Sequence, residues 1–204
     1  MKEYTILMAA TDFLPVLFFA IAAMILQGDL YRKVGAGRFT LLACGTVDVT
    51  VAGLLKALYK LLYTLEVCDF PALSDLFMPL QSIGFLLAGL AMLSIAGKAH
   101  PKAAMAVAPP LFAGTYLFIG CMVAGLAGLL GGLCRLAAKV QQRSAIPFFL
   151  LALVCSLGMG YLSTKDFDKA VFNWIAQGVN IVGQGSLLIG VIVLHNSKLR
   201  DMEW

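Results

Sequence analysis

The stretch FNWIAQGVNIVGQG, residues 172–185, places four carboxamides in an otherwise apolar run: Asn173, Gln177, Asn180 and Gln184. Successive residues of a helix are turned by about 100°, so these four fall within an arc of roughly 60° on one face. An amide turned toward hydrocarbon would leave its hydrogen-bonding capacity unpaired, at a cost of several kcal/mol, so the stripe must face protein or water. Two kinds of chemistry suit it. The amides can act as interhelical glue, which contributes about 1 kcal/mol or less per bond. They can also line a cavity that replaces the hydration shell of a polar solute, since polar clusters inside a membrane are functional by default.

Asp48 extends the second possibility. It lies in CGTVDVTVAG, near the middle of another apolar run, where a carboxylate costs at least ~2.5 kcal/mol even on a lenient insertion scale. A carboxyl at that depth can carry a proton or meet a cation. Its structural alternative is a hydrogen bond to backbone or to Gln81. Lys56 and Lys60 follow two to three turns later, close enough to the interface to snorkel. The expected polar interior is therefore Asp48, Gln81, Asn173, Gln177, Asn180 and Gln184. Asp12 is set apart, because Thr11-Asp12 three residues ahead of Pro15 has the pattern of a helix N-cap at the interface.

These residues need an apolar frame to hold them. The chain has 204 residues, 61% hydrophobic and 13% charged, with a mean hydropathy of +0.91. A soluble domain carries about a quarter charged residues, so the composition describes an integral membrane protein. Crossing roughly 30 Å of hydrocarbon takes about 20 helical residues, and six apolar runs are long enough: about 5–27, 39–62, 76–96, 105–134, 145–163 and 172–195. The expectation is an all-α polytopic bundle of six transmembrane helices. The short connections leave no room for a soluble catalytic or nucleic-acid-binding domain. Lys2 ahead of the first run suggests a signal peptide, but Glu3 and Asp12 interrupt that pattern.

The runs also echo one another. Phe39, Leu41, Leu42 and Ala43 match Phe148, Leu150, Leu151 and Ala152, and Gly84, Leu86, Leu87 and Gly89 match Gly185, Leu187, Leu188 and Gly190. The first and fourth runs share only a proline, Pro15 against Pro109. Two three-helix halves, 1–100 and 101–204, follow from this reading. Three crossings per half would turn the second half upside down, the inverted-repeat plan of many transporters. Six crossings would also leave both termini on one side.

The remaining features are less specific. Basic residues divide almost evenly between the two sides, so they select no orientation. The acidic cluster Glu66, Asp69 and Asp75 leans toward an external N-terminus. Arg135, Lys139 and Arg143, spaced by four, would form a basic ridge at the headgroups if the fourth helix continues that far. Gly120, Ala124, Gly128 and Gly132 form a small-residue ridge for close helix packing, within the chain or in a homodimer.

Cys44, Cys68, Cys121, Cys134 and Cys155 show neither metal-site nor redox spacing. His100 and His195 stand at the ends of runs, away from where a haem ligand would sit. No nucleophile with a base and no metal cluster can be assembled, so neither an enzyme nor a cofactor is expected. The function expected is a small transporter or channel that passes a small polar or cationic solute. The alternative is a non-transporting subunit or receptor-like module. The expected partners are lipids and a small molecule or ion, not nucleic acid. The expected location is the plasma membrane, the cell inner membrane if the protein is bacterial.

Overall fold

The computed structural model describes residues 5–97, 115–162 and 170–197. Lys2, Glu3, Lys98, His100, Lys102, the first ten residues of the expected fourth run, Pro109, Lys165 and Lys169 lie outside them. All regular structure among the described residues is helical. It comprises α1 (Ile6–Thr11), α2 (Phe13–Leu30), α3 (Ala36–Thr64), α4 (Ala72–Asp75), α5 (Phe77–Ala96), α6 (Thr115–Lys139), a 3-10 turn (Arg143–Ala145), α7 (Ile146–Leu162) and α8 (Ala170–His195). Six helical stretches are long and apolar enough to cross a membrane, α1 joining α2 and α4 joining α5 in two of them.

The helix ends follow from local chemistry. Pro15 has no N–H for the carbonyl of Thr11, and its ring crowds that carbonyl. The first span accordingly breaks between α1 and α2 at Asp12. Pro79 and Pro147 fall in the first turns of α5 and α7, where the missing donor has no partner to lose. Arg32, Glu66 and Gln141 take left-handed backbone (φ 61°, 56° and 60°) just beyond α2, α3 and α6, the usual way a helix is stopped. The stop at Gln141 leaves Arg135 and Lys139 on α6 and puts Arg143 in the 3-10 turn. The basic ridge is therefore two residues long rather than three.

The six long helices pack as a ring in which each touches the next: α2, α3, α5, α6, α7, α8 and back to α2. Facing residues give their directions. Gly45 of α3 meets Ala88 and Gly84 of α5, while Gly84 also meets Val49, so these helices are antiparallel. In the same way Gly53 lies against Val16, and Gly183 and Gly190 lie against Cys155 and Phe149. Two pairs are parallel. On α5 and α6, Ser82 donates to the Phe118 carbonyl (2.9 Å), Gly89 meets Gly125 and Gly128, and Met92 meets Gly132. On α2 and α8, Thr11 pairs with Gln177, Phe18 lies beside Gly185, and Asp29 pairs with His195.

Both halves therefore run in the same sense, and the opposed second half expected from the crossing count is not found. That count assumes that every connection reverses the chain. Because α5 and α6 are parallel, Gly97 and Thr115 stand at opposite ends of the bundle instead of flanking a turn. For the same reason Ile6 and Ser197 lie at opposite ends, not on one side. The neighbour relations map α2, α3 and α5 onto α6, α7 and α8 by a half-turn about an axis along the helices. The matched residues do not follow that operation. Gly89 packs on α6 whereas Gly190 packs on α7, and Leu42 is buried whereas Leu151 is exposed.

Packing differs between the two ends. Most of the largest buried side chains, among them Leu30, Leu42, Met92, Leu133, Leu136, Phe149 and Leu194, gather at the end where α2 finishes, here the Asp29 end, with Met8 an exception at the opposite end. At the opposite Asp12 end, residues 117–124 of α6 and 153–162 of α7 include none that is fully buried. Among the described residues the apolar core thus closes one end of the ring and thins toward the other.

Candidate functional site

At the Asp12 end, three helices, α1, α3 and α8, and the break between α1 and α2 bring their polar residues together. The break that Pro15 causes leaves Asp12 outside regular helix, with no capping hydrogen bond from its side chain. Its carboxylate instead reaches α3, where Oδ2 lies 2.6 Å from Lys60 Nζ, and both side chains are mostly buried (17% and 12% exposed). The other oxygen, Oδ1, accepts from Gln177 Nε2 of α8 at 2.8 Å. Gln177 is tied down further. Its Nε2 also donates to the Met8 carbonyl (2.7 Å), and its Oε1 accepts from Thr11 Oγ1 (2.8 Å). One turn earlier on α8, Asn173 Oδ1 accepts from Lys60 at 3.4 Å.

Lys56 belongs to the same group. It stands one turn before Lys60, on the same face of α3. Its ammonium lies 4.0 Å from the centre of the Phe77 ring at the start of α5, a cation–π contact that holds the group without neutralising it. Asp69, just beyond this end of α3, is exposed and accepts from the Tyr59 hydroxyl at 3.2 Å. The cluster therefore combines two ammonium groups, one carboxylate with both oxygens in contact, and two amides.

Sequence reasoning placed Asp12 as a cap and the two lysines as snorkelling outward, and on these three residues it differs from the structure. Asp12 does stand at the start of α2, but a better partner claims its carboxylate. Lys60 turns inward because burying a carboxylate without a cation would cost far more than ordering the lysine chain. The signal was the one that singled out Asp48, an acid inside an apolar run. The pairing of residues 48 positions apart could not be read from spacing.

The residues expected to line a polar interior separate into groups. Asn173 and Gln177 are buried in the cluster. Asn180 and Gln184 continue along α8 and are half-buried. Among the described residues, Gln184 Oε1 is the buried side-chain atom left without a hydrogen-bond partner. Asp48 and Gln81 are half-buried, and no hydrogen bond joins either to the α8 amides or to each other among the described residues. Hydrogen bonding of Asp48 to Gln81, its structural alternative, is thus absent there.

A second clamp between the same two helices, α2 and α8, lies at the packed end. His195 Nδ1 approaches the buried Asp29 carboxylate at 2.8 and 3.0 Å. Between the clamps Gln27 Nε2 donates to Thr46 Oγ1 at 2.7 Å, tying α2 to α3. Polar contacts thus follow α2 from end to end, but only the Asp12 end concentrates charge. No protein-family model, curated protein or solved structure matches the chain, so its chemistry is argued from its own residues.

Proposed function

We propose that this is a multi-pass protein of the plasma membrane, the inner membrane if the cell is bacterial, and that it moves a small polar solute. The observation that carries the reading is the coincidence of the charged cluster with the thinly packed end of the ring. Charges within membrane spans are expensive and mark solute or ion pathways. Here Asp12, Lys56, Lys60 and Asn173 meet where the apolar core of the described residues thins, and beyond them the core closes the far end. That is the form of a carrier open to one side.

Two three-helix units of the same sense, related by an axis along the helices, can exchange access by rocking against each other. In this reading Asp48 and Gln184, deeper along the ring and without hydrogen-bond partners among the described residues, meet the solute or a coupling proton or cation once it has passed the cluster. Reconstituted protein tests this directly by solute flux across pH. Asp48→Asn keeps the shape of the carboxyl and removes its charge, so folding should survive while flux falls or loses its pH dependence. Flux equal to wild type in that variant would remove Asp48 from the pathway.

One observation favours the alternative of a non-transporting subunit. Every polar atom of Gln177 is engaged within the chain, which makes that amide glue. The two readings separate at Gln184, which glue does not account for.

A further inference from the structure

We propose that the Asp29 end of the ring is a docking surface for the anionic lipid headgroups of the cytoplasmic leaflet, which leaves the thinly packed Asp12 end facing outward. This assignment rests on the multi-pass reading above and not on transport. Arg32 and Lys33 follow α2, and Arg38 lies in the first turn of α3. Arg135 and Lys139 lie near the end of α6, and Arg143 in the 3-10 turn before α7. A count in which every connection reverses the chain puts these two groups of three on opposite sides. Because α5 and α6 are parallel, all six stand together at the Asp29 end.

The acid at that end among the described residues, Asp29, is buried against His195. At the Asp12 end the exposed charged residues among those described are Glu66, Asp69 and Asp75, while Lys56 and Lys60 are half-buried in the cluster. The other segments leave this contrast in place by their composition. Residues 1–4 and 163–169, joined to the Asp12 end, hold Lys2, Lys165 and Lys169 against Glu3, Asp166 and Asp168; residues 198–204, joined to the Asp29 end, hold Lys198 and Arg200 against Asp201 and Glu203. Lys98 and Lys102 do not reverse its sign at whichever end they are counted.

Basic residues flanking membrane spans gather on the cytoplasmic side, where the anionic leaflet attracts them within a screening distance of about 10 Å at 0.1 M salt. The depth of the six favours lipid over an acidic protein, since they lie at helix ends and not on a domain that projects into water. Tyr31 supports that depth. It is exposed, meets Phe39 edge-on with ring centres 5.4 Å apart, and has the Arg32 guanidinium 5.2 Å from its ring, as an aromatic at the headgroup level does.

Orientation is read with a membrane-impermeant maleimide on intact cells or spheroplasts. Cys68, exposed between α3 and α4 at the Asp12 end, should be labelled, a signal that Cys68→Ser removes. A cysteine introduced at Gly35, where an added Cβ meets nothing within 4 Å, should be labelled only after permeabilisation. Lipid choice is read from spin-labelled phosphatidylglycerol and phosphatidylcholine competing for reconstituted protein. Wild type should prefer phosphatidylglycerol by a factor that falls as salt rises. Replacing Arg32, Arg135 and Arg143 by glutamine should lower that factor by up to about fivefold per charge, and replacing the same three by lysine should retain it. Glu66→Gln with Asp75→Gln, at the other end, should also retain it.

Labelling of the Gly35 site in intact cells with Cys68 protected overturns the proposal. So does a wild type without lipid preference, or a glutamine variant that keeps it. Binding of polyglutamate through the same arginines, without lipid preference, would transfer the surface to an acidic protein and overturn the lipid assignment. Release of the protein from membranes by an alkaline wash would remove the multi-pass reading and this proposal together. Absent flux with the expected labelling and lipid preference upholds the surface and overturns the carrier reading alone.

Discussion

Asp12 and Lys60 form a mostly buried pair, and such pairs behave asymmetrically. Removing one partner strands a charge and costs about 3 kcal/mol or more, whereas replacing both by apolar groups is nearly neutral. Asp12→Asn alone should therefore destabilise the protein by about 3 kcal/mol, and adding Lys60→Met should recover most of that loss. Equal, additive losses in unfolding measurements would show that the two side chains are not coupled. The α8 amides permit a finer comparison. Gln177→Leu removes three hydrogen bonds and should lower stability by about 1–2 kcal/mol. Gln184→Leu, at an atom with no partner, should leave stability unchanged or raise it while reducing flux. A stability loss at Gln184 as large as at Gln177 would mean that both amides are glue. The α8 stripe was legible in the sequence because four amides in an apolar run violate the pattern around them. The Asp12–Lys60 pair was not, because each residue has an ordinary local explanation.

The packing of α5 against α6 depends on bare backbone. A Cβ added to Gly125 would overlap the backbone of Phe85 and Leu86, and one at Gly89 would overlap Gly125. Gly120 and Gly131 on the same helix face open space. Gly125→Ala should therefore force the helices apart and cost about 1–3 kcal/mol. Gly131→Ala should cost nothing, or stabilise α6 by up to about 1 kcal/mol through its better helix propensity. Equal melting temperatures for the two variants would contradict the close approach. The sequence marked a small-residue ridge through Gly120, Ala124, Gly128 and Gly132. Its far half does meet α5, but Gly125 takes the place of the first two, and the partner is a helix of the same chain. Periodicity identifies a face suited to close packing; which neighbour occupies it depends on the order of helices around the ring.

The direction of the helices shapes the whole molecule. With α2 parallel to α8, reporters attached ahead of Ile6 and after Ser197 should give signals from opposite sides of the membrane. Same-side signals would remove the parallel packing of both α2 with α8 and α5 with α6. A carrier built from two units of the same sense should also respond to a bond between them. Cross-linking α8 to α2 through cysteines introduced at their facing positions Gly185 and Phe18, where an added Cβ would meet only the ring of Phe18 at 3.7 Å, should abolish flux without unfolding the protein, and reduction should restore it. Undiminished flux in the linked protein would rule out relative motion of the two units at that contact.

Composition and run length determined, without coordinates, that the chain is all-helical with six stretches able to cross a membrane, because hydrocarbon leaves no other means of satisfying the backbone of a long apolar segment. Local chemistry determined where those stretches break or stop, as at Pro15. Direction, neighbour order and charge pairing were decided only in three dimensions. Counting crossings treats every connection as a reversal, and the parallel contact of Gly125 with Gly89 shows that one connection is not. A charge inside an apolar run declares that it needs a partner, but the identity of that partner depends on which helices lie side by side. Lys60 answers Asp12 because α3 passes α2 at the place where Pro15 interrupts the helix.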